Sequence, residues 1–155
     1  MTKTANIKYL IIGNSAGAVG AAETIRSADR NGVITIVSDE PYPAYSRPLI
    51  SKYLADKRPL EKMLFRSRDF YELNNVQTLL GNKVLKLNIA ERDVEIQGGG
   101  KVAWEKLLLA TGGSPIVPKT DGIDLKGVFK FLTLDDAKAI DVFLAGIPRK
   151  ALRAV

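Results

Sequence analysis

The part of the sequence that most constrains the fold is residues 7–22, where an apolar run leads into glycines and then into small residues. Residues 9–12 are apolar and rich in strand formers, so they predict a buried strand. Residues 13–17 contain two glycines and predict a tight turn. Apolar residues then recur at the spacing of one helix face, at Ala18, Ala21, Ala22 and Ile25. The order of strand, turn and helix predicts the start of a βαβ unit.

The turn of such a unit offers backbone N–H groups and the positive end of a helix dipole, which together suit a pyrophosphate. The residues that would form this dinucleotide site are Gly13, Asn14, Ser15, Ala16 and Gly17. The glycine fingerprint G-x-G-x-x-G is incomplete, because Ser15 and Ala18 stand where its second and third glycines would be. An ordinary strand-to-helix turn is therefore the alternative interpretation of the same residues.

A second strand and a pair of acids follow the helix. Residues 33–38 are β-branched and almost entirely apolar, which is typical of a parallel sheet covered on both faces. Asp39 and Glu40 follow directly, about twenty residues past the turn, where a dinucleotide fold uses an acid to accept hydrogen bonds from ribose hydroxyls. The pattern does not choose between the two acids, and a common acidic loop start is the alternative.

Composition excludes several kinds of chemistry. The 155 residues include no Cys and no His, which excludes disulfides, thiolate nucleophiles, the usual zinc sites and histidine-dependent triads. The net charge of +6 is scattered among acids, so it predicts no nucleic-acid surface, although an acidic protein partner would suit it. No apolar run has the length of a transmembrane helix and no signal peptide precedes the first strand, so we expect a cytoplasmic protein without a membrane partner.

A proline-rich loop carries two cations that are candidates for ligand binding. Three prolines in residues 41–48 predict a stiff, non-helical loop, and residues 49–54 predict a short helix. Arg47 and Lys52 lie five positions apart across this junction, so both could reach one anionic or electron-rich ligand. Two unrelated surface cations would give the same spacing, and spacing alone favours that alternative.

The middle of the chain predicts a mixture of short elements. Residues 59–65 predict a linking loop, and Ser67 is expected to cap a helix that runs through Asn74. Residues 76–80 predict a third strand. Residues 83–104 alternate between apolar and polar side chains, as an antiparallel meander does, with three consecutive glycines as a hairpin turn.

The last part of the chain predicts two more strands and a helix. Residues 107–110 predict a fully apolar strand that leads into residues 111–115, and its end is a second place where backbone would approach a ligand closely. Residues 128–132 predict a short strand. Thr133 and Asp136 have the spacing of a capping box at the start of a helix.

Five motifs in this order resemble the N-terminal FAD-binding segment of the FAD-dependent pyridine nucleotide oxidoreductases. They are IIGNSAG at the first turn, VSDEP after the second strand, YSRPLISK across the proline-rich loop, LLLATGG at the last strand and TLDDA at the final helix. The branch of ferredoxin and rubredoxin reductases, NADH oxidases and nitrite reductase flavin domains is the most similar. The resemblance covers nearly the whole chain. It implies an α/β, Rossmann-like FAD-binding domain with a parallel sheet and an inserted antiparallel β-meander.

The resemblance also implies roles for individual residues. The turn of residues 13–17 would hold the FAD pyrophosphate, and Asp39 or Glu40 would bind the adenosine ribose. Arg47 would contact the cofactor near its ribose or phosphates. Lys52 would lie beside the isoalloxazine ring, as a flavin contact and not as an assigned catalytic residue.

The remaining contacts that the resemblance implies come from two later segments. Val84 would bind the adenine through its backbone. The other side of the cofactor would be lined by Ala110, Thr111 and Gly112. NAD(P)H would be the co-substrate of a full-length enzyme.

Two departures from the family pattern limit the expected activity. Disulfide-reducing members carry a redox Cys near the segment that holds Arg47, and its absence speaks against reduction of disulfides or of coenzyme A disulfide. The absence of Cys also excludes a cysteine-sulfenate oxidase mechanism. The family continues with an NAD(P)-binding domain, whereas this chain ends at Val155. We therefore expect residues 1–150 to be a truncated FAD-binding domain and residues 151–155 to begin a missing NAD(P)-binding domain.

Three functions remain open at this point. The first is the FAD-binding portion of an NAD(P)H-dependent flavoprotein oxidoreductase, inactive by itself, that passes electrons to an acceptor such as a small iron protein, a nitrite-reducing centre or oxygen. The basic charge of the chain is compatible with an acidic electron-carrier protein as that acceptor. The second is a non-catalytic nucleotide-binding or interaction domain that forms a homodimer to complete its sheet. The third is a plain NAD-binding domain, which is disfavoured because it has no use for both the proline-rich segment with Arg47 and Lys52 and the ATGG sequence at residues 110–113.

Overall fold

The computed structural model describes residues 7–148, which divide into two compact units. The first unit contains residues 7–45 and 64–112. The second contains residues 46–63 and 113–148. The chain therefore leaves the first unit at the proline-rich loop, returns to it, and leaves it again after the last strand.

The described residues form seven strands and four α-helices. The strands are β1 (Tyr9–Ile12), β2 (Ile34–Ser38), β3 (Val76–Leu80), β4 (Val84–Asn88), β5 (Asp93–Ile96), β6 (Lys101–Ala103) and β7 (Lys106–Leu109). The helices are α1 (Ala16–Ala28), α2 (Ile50–Asp56), α3 (Phe70–Leu73) and α4 (Leu134–Ala145). Short 3₁₀ turns at Arg47–Leu49 and Leu60–Lys62 lie on either side of α2.

Four parallel strands form the main sheet of the first unit, in the order β3-β2-β1-β7. Tyr9 of β1 pairs with Ile34 of β2 on one side and with Lys106 of β7 on the other. The parallel α/β sheet predicted from the sequence is therefore confirmed. Because all four strands run in one direction, their carboxyl ends meet at one edge, which is where open α/β sheets bind ligands.

The two faces of this sheet are covered by different elements. The buried layer on the α1 face consists of Ile11, Ala18, Val19, Ala22, Ile34, Ile36, Ala44, Phe70 and Val76. The buried layer on the other face consists of Ile7, Leu10, Ile12, Val37, Val94 and Val102. Val94 and Val102 come from the antiparallel sheet β4-β5-β6, which confirms the predicted meander. Burial on both faces explains why β1 and β2 are apolar at nearly every position.

The carboxyl end of α1 is fixed by Asp29, far along the helix from the turn after β1. Its carboxylate accepts hydrogen bonds from Lys8 Nζ at 2.7 Å, Tyr9 Oη at 3.0 Å and the N–H of Gly32 at 2.8 Å. The Lys8 ammonium and these other donors hold the pKa of the Asp29 carboxyl well below its usual range. The ionised carboxylate therefore stabilises the link between α1 and β2.

The second unit consists mainly of α2 packed against α4. Lys57, just after α2, forms an ion pair with Asp141 of α4. At the start of α4, Thr133 Oγ1 accepts a hydrogen bond from the N–H of Asp136 at 3.1 Å, and Asp136 Oδ2 accepts one from the N–H of Thr133 at 2.8 Å. These reciprocal bonds confirm the predicted capping box.

Three predicted boundaries near helices are wrong in detail. The turn after β1 is shorter than predicted, because α1 already begins at Ala16. Ser67 does not cap α3, which is a single turn with Asp69 at its N-cap position. The helix predicted at residues 49–54 begins one residue later and runs to Asp56.

The strand predicted at residues 128–132 is also wrong. These residues take no part in the strand pairings of the described chain, and Val128 instead donates its N–H to the carbonyl of Leu125, at 3.1 Å, in a turn. The Phe129 ring packs edge-on against Phe143 of α4, with centroids 5.2 Å apart. Strand-forming residues make a strand only where a neighbouring edge accepts their backbone hydrogen bonds. Residues 151–155, predicted to begin a further domain, lie outside the described residues.

Candidate functional site

A groove with a volume of about 310 Å³ opens at the carboxyl ends of the parallel strands in the first unit. Gly13 lines it just beyond β1, Asp39 just beyond β2 and Thr111 just beyond β7. Val84, at the start of β4, contributes another wall. The groove therefore brings together four residues that the sequence analysis assigned to one site.

Gly13 allows the ends of β1 and β7 to approach each other. Its φ is +109°, and a Cβ built on it would lie 2.1 Å from the carbonyl oxygen of Ala110. The N–H of Gly13 donates to the carbonyl of Val37 at 2.8 Å, and the N–H of Ala110 donates to the carbonyl of Ile12 at 2.8 Å. The fold itself therefore requires glycine at position 13, whatever ligand the groove holds.

The N-terminus of α1 is open to a ligand. Ser15, at the N-cap position, makes no side-chain capping bond, and the first turn contains no acid. The first intrahelical bond runs from the N–H of Val19 to the carbonyl of Ser15, so the N–H groups of Ala16, Gly17 and Ala18 have no acceptor within the helix. Ala16 and Gly17 are exposed. These N–H groups and the helix dipole can stabilise an anion.

Ser15 itself adopts an extended conformation with φ −136°. An extended conformation is accessible to any L-residue, so no glycine is required at this position. The departure from the glycine fingerprint at Ser15 thus has no backbone cost. The structure explains why Gly13 must be glycine in this turn and why Ser15 need not be.

The two acids after β2 differ in what they bind. Tyr45 donates its hydroxyl proton to Glu40 Oε2, with an O–O distance of 2.5 Å. Asp39 is exposed, lines the groove, and receives no hydrogen bond or ion pair from any other residue in the range 7–148. The Asp39 carboxylate is therefore the one that a ligand in the groove can reach without displacing a protein donor.

Asn14 uses its side chain within the protein. Its Nδ2 donates to the carbonyl of Tyr42 at 3.0 Å, and its Oδ1 accepts from the hydroxyl of Tyr71 at 2.8 Å. Only the backbone of Asn14 remains for a ligand. The sequence analysis missed Tyr42 and Tyr71, because nothing in their local patterns indicates that they meet this turn.

The segment between β3 and β4 provides groove residues that the sequence analysis also missed. Asn82 and Lys83 line the groove beside Val84, and the N–H of Asn82 donates to the carbonyl of Ser38 at 2.8 Å. Since β3 is parallel to β2, its carboxyl end had to meet the same edge of the sheet. This rule predicts that the residues just beyond β3, Asn82 and Lys83, lie at the ligand-binding edge of the sheet.

The segment after β7 continues from the groove into an exposed loop. Ala110 is partly buried against α1, whereas Thr111 and Gly112 are exposed. Gly112 has φ +70°, and a Cβ built on it would point into open space. The first unit thus contains all of the predicted residues from this segment, and Thr111 is the one that lines the groove.

Arg47 and Lys52 belong to the second unit. The Arg47 guanidinium donates to the carbonyl of Leu132 at 3.2 Å. Lys52 Nζ lies 3.8 Å from Asp56 Oδ2, one helical turn along α2, and about half of each side chain is exposed. Each cation therefore has a partner within its own unit.

The loop that Arg47 contacts is also fixed by Asp136. Burial raises the pKa of the Asp136 carboxyl, but hydrogen bonds from the N–H groups of Leu132 and Thr133 outweigh it and hold that pKa below its usual value. The Asp136 carboxylate thus accepts a hydrogen bond from the N–H of Leu132, and the Arg47 guanidinium donates one to the carbonyl of the same residue.

Residues 7–148 contain no cluster of three or more acidic side chains that could hold a metal ion. None of the helices in this range combines the length and the apolar character needed to cross a membrane.

Comparison with known proteins gives matches along nearly the whole chain. Residues 7–147 match the family model described as pyridine nucleotide-disulphide oxidoreductase. The chain is 36% identical over 130 residues to subunit epsilon of the NADH-dependent phenylglyoxylate dehydrogenase of Aromatoleum evansii, covering 84% of this chain and 31% of that protein. It is 33% identical over 140 residues to putidaredoxin reductase of Pseudomonas putida, covering 88% of this chain and 33% of that protein.

A solved structure shows the same fold. The NADH:rubredoxin oxidoreductase of Clostridium acetobutylicum superposes with a TM-score of 0.76 at 25% identity, covering 89% of this chain and 35% of that one. The chain therefore spans about a third of the length of these three proteins.

Proposed function

Since the chain belongs to the pyridine nucleotide-disulphide oxidoreductase family, whose members use FAD and NAD(P)H, we propose that it is the FAD-binding portion of an NAD(P)H-dependent flavoprotein oxidoreductase. The observation that carries this proposal is the groove at the carboxyl ends of the parallel strands. The uncommitted Asp39 carboxylate lines it beyond β2, and Gly13, which lines it beyond β1, leads within three residues to the uncapped N-terminus of α1. These are the groups that a dinucleotide requires for its pyrophosphate and its ribose.

The ADP half of FAD is assigned to the first unit. The backbone of residues 13–17 holds the pyrophosphate at the N-terminus of α1. Asp39 accepts hydrogen bonds from the adenosine ribose, and we prefer it to Glu40 because the Glu40 carboxylate is already bound by Tyr45. Val84 lies beside the adenine and supplies backbone contacts.

The remaining contacts are assigned to three later residues and two cations. Ala110, Thr111 and Gly112 line the other side of the cofactor with backbone atoms. Arg47 contacts the cofactor near its ribose or phosphates, and Lys52 lies beside the flavin ring. Bound FAD supplies the chemistry of accepting a hydride and passing on electrons. A cation beside the ring stabilises negative charge there, which is the role we assign to Lys52.

The whole protein is proposed to be an enzyme that passes electrons from NAD(P)H through flavin to an acceptor, with this chain inactive by itself. Residues 1–150 are assigned to the FAD-binding domain and residues 151–155 to the start of an NAD(P)-binding domain. An acidic electron-carrier protein is the proposed acceptor, since the chain carries a net charge of +6 and one relative is named for putidaredoxin. The proposed location is the cytoplasm.

A second candidate function is a non-catalytic nucleotide-binding or interaction domain that forms a homodimer to complete its sheet. The observation that favours it is the edge strand β7, on which Leu108 and Leu109 are 38% and 59% exposed. A second copy that paired along this edge would bury these side chains. The monomer and dimer are distinguished by sedimentation of the chain over a range of concentrations.

The test of the proposed function is cofactor retention. The full chain is incubated with FAD or with NAD, passed through a desalting column and measured by absorbance and flavin fluorescence. We expect retained FAD at close to one equivalent. Retention of NAD without FAD would contradict the proposal, and retention of neither would favour the non-catalytic interaction domain.

A further inference from the structure

Three segments of the first unit meet at one hydroxyl group, that of Tyr71 on α3. This hydroxyl donates to Asn14 Oδ1 at 2.8 Å and accepts a hydrogen bond from the N–H of Ala44 at 2.9 Å. Asn14 Nδ2 in turn donates to the carbonyl of Tyr42 at 3.0 Å. The three hydrogen bonds join the turn after β1 to the loop after β2, and two of them are made by the Tyr71 hydroxyl.

The core beneath Tyr71 holds its ring in place. The ring packs edge-on against Phe70, with centroids 5.2 Å apart, and Phe70 is only 4% exposed. Tyr71 also packs against the apolar layer on the α1 face of the sheet. The two segments that its hydroxyl joins, residues 13–15 and 42–44, belong to no helix or strand. The hydroxyl therefore fixes irregular backbone to a rigid part of the unit.

Both of these segments border the proposed cofactor site. Asn14 follows Gly13, which lines the groove, and the loop that holds Tyr42 begins at Asp39. We propose that the Tyr71 hydroxyl is a positioning group, which fixes the spacing between the pyrophosphate turn and the ribose-binding acid before the cofactor binds. This inference rests on the FAD binding proposed above.

The hydrogen bonds of Tyr71 and Asn14 affect the affinity for FAD by holding the two segments in place before FAD binds. A loop that is mobile in the free protein loses conformational entropy when it closes on a ligand, and this loss weakens binding. A loop that is already held by Tyr71 and Asn14 has less to lose. Removal of the hydroxyl should therefore release both segments in the free chain and weaken the binding of FAD.

Tyr9 provides a matched control in the same unit. Its hydroxyl also donates one hydrogen bond to a side-chain oxygen, Asp29 Oδ2, at 3.0 Å. Asp29 follows the carboxyl end of α1, and neither residue lines the groove. Tyr9→Phe thus removes a comparable hydroxyl without touching residues 13–15 or 42–44.

The first measurement is amide hydrogen exchange in the flavin-free chain. We expect the hydrogen-bonded amides of Gly13 and Ala44 to exchange roughly tenfold faster in Tyr71→Phe, because the Ala44 N–H loses its acceptor and the turn that contains Gly13 loses its link to α3. Tyr9→Phe should leave exchange at these two amides at the wild-type rate. Unchanged exchange in Tyr71→Phe, or equal acceleration in both variants, would overturn the inference.

The second measurement is the Kd for FAD, followed by quenching of flavin fluorescence. We expect Kd to rise roughly tenfold in Tyr71→Phe and by about twofold or less in Tyr9→Phe. Equal increases in the two variants would mean that the hydroxyl acts only through global stability, and would overturn the inference. A wild-type chain that binds no FAD would instead overturn the proposed function, and the exchange measurement would still decide the role of Tyr71.

Asn14→Ala tests the same contact from its other end. If Tyr71→Phe fails to fold, Asn14→Ala must by itself accelerate exchange at residues 42–44 for the inference to stand. If both variants fold, their effects on Kd should be less than multiplicative in the double variant, because each removes the same hydrogen bond. Fully multiplicative effects would show that the two residues act independently, against the inference.

Discussion

The residues proposed to bind FAD are held differently within each of the two units. In the first unit, the site consists of backbone at strand ends and of the carboxylate of Asp39, which has no protein partner among residues 7–148. In the second unit, Arg47 and Lys52 bind the carbonyl of Leu132 and the carboxylate of Asp56. The groove residues of the first unit are thus part of its sheet, whereas the two cations of the second unit are held by contacts within that unit.

The two long helices show the same contrast at their N-termini. The capping box of Thr133 and Asp136 satisfies the N-terminus of α4, and Asp135 adds a second acid in its first turn. The N-terminus of α1 has neither a capping bond nor an acid in its first turn. A helix end that is left unsatisfied beside a groove is suited to an anionic ligand, and one that is already capped is suited to stabilising the fold.

The largest effect is expected from Gly13→Ala. The positive φ and the 2.1 Å approach to the carbonyl oxygen of Ala110 leave no space for a Cβ, so β1 and β7 must separate. We expect a loss of unfolding free energy on the order of 3 kcal/mol or more, measured by urea denaturation.

The control for Gly13→Ala is Gly17→Ala. A Cβ at position 17 would come no closer than 4.0 Å to another side chain, and alanine favours helix, so stability should rise by up to about 1 kcal/mol. A stable Gly13→Ala variant would contradict the close-approach argument.

The next largest effect is expected from Asp39→Asn, compared with Glu40→Gln. Loss of the charged acceptor for the ribose hydroxyls should raise the Kd for FAD roughly tenfold in Asp39→Asn. Glu40→Gln should change Kd by about twofold or less, because its carboxylate binds Tyr45. The reverse order in a fluorescence titration would reassign the ribose to Glu40.

A smaller effect is expected from Thr133→Ala, compared with Ser15→Ala. Thr133→Ala removes a capping bond and should lower the unfolding free energy by about 1 kcal/mol in urea denaturation. Ser15→Ala removes no capping bond, so its cost should be smaller, about 0.5 kcal/mol or less, at the low end for cap substitutions by alanine. Equal losses would mean that α1 is capped by its Ser15 side chain after all.

The smallest effect is expected from Asp29→Asn and depends on pH. The folded-state pKa of Asp29 is lowered, so its stabilising effect is fully present above the pKa of the unfolded carboxyl, about 4, and is lost as the pH falls below that value. Wild type and Asp29→Asn should therefore differ in urea midpoint at pH 7 and converge toward pH 2. The Kd for FAD at pH 7 should be unchanged, because Asp29 does not line the groove.

The main sheet could be predicted from the sequence because its signals are local. The apolar runs of β1 and β2 and the small residues Ala18 and Ala22 of α1 each specify their own element, and both sheet faces are covered as the runs imply. Gly13 and Asp39 followed from the position of each just after a strand. The strand predicted at residues 128–132 failed because its formation depends on a neighbouring edge, which no local pattern reveals.

The parts of the site that could not be predicted depend on contacts between distant segments. Tyr71 lies 57 positions from Asn14, and its role depends on where α3 packs. The choice between Asp39 and Glu40 depended on Tyr45, whose hydroxyl has no signature in the sequence. Sequence patterns thus indicated which backbone segments form the site, whereas side-chain partners set the chemistry of each segment.

The position of β1 in the middle of the sheet has a consequence for folding during synthesis. β1 and β7 are about 100 residues apart in the sequence, so their pairing closes a long loop, and such non-local contacts form slowly. The close approach of Gly13 to Ala110 can form only after β7, the last strand of the sheet in chain order, has left the ribosome. A ligand whose site depends on this contact can stabilise the finished sheet, but it cannot bind during the early stages of folding.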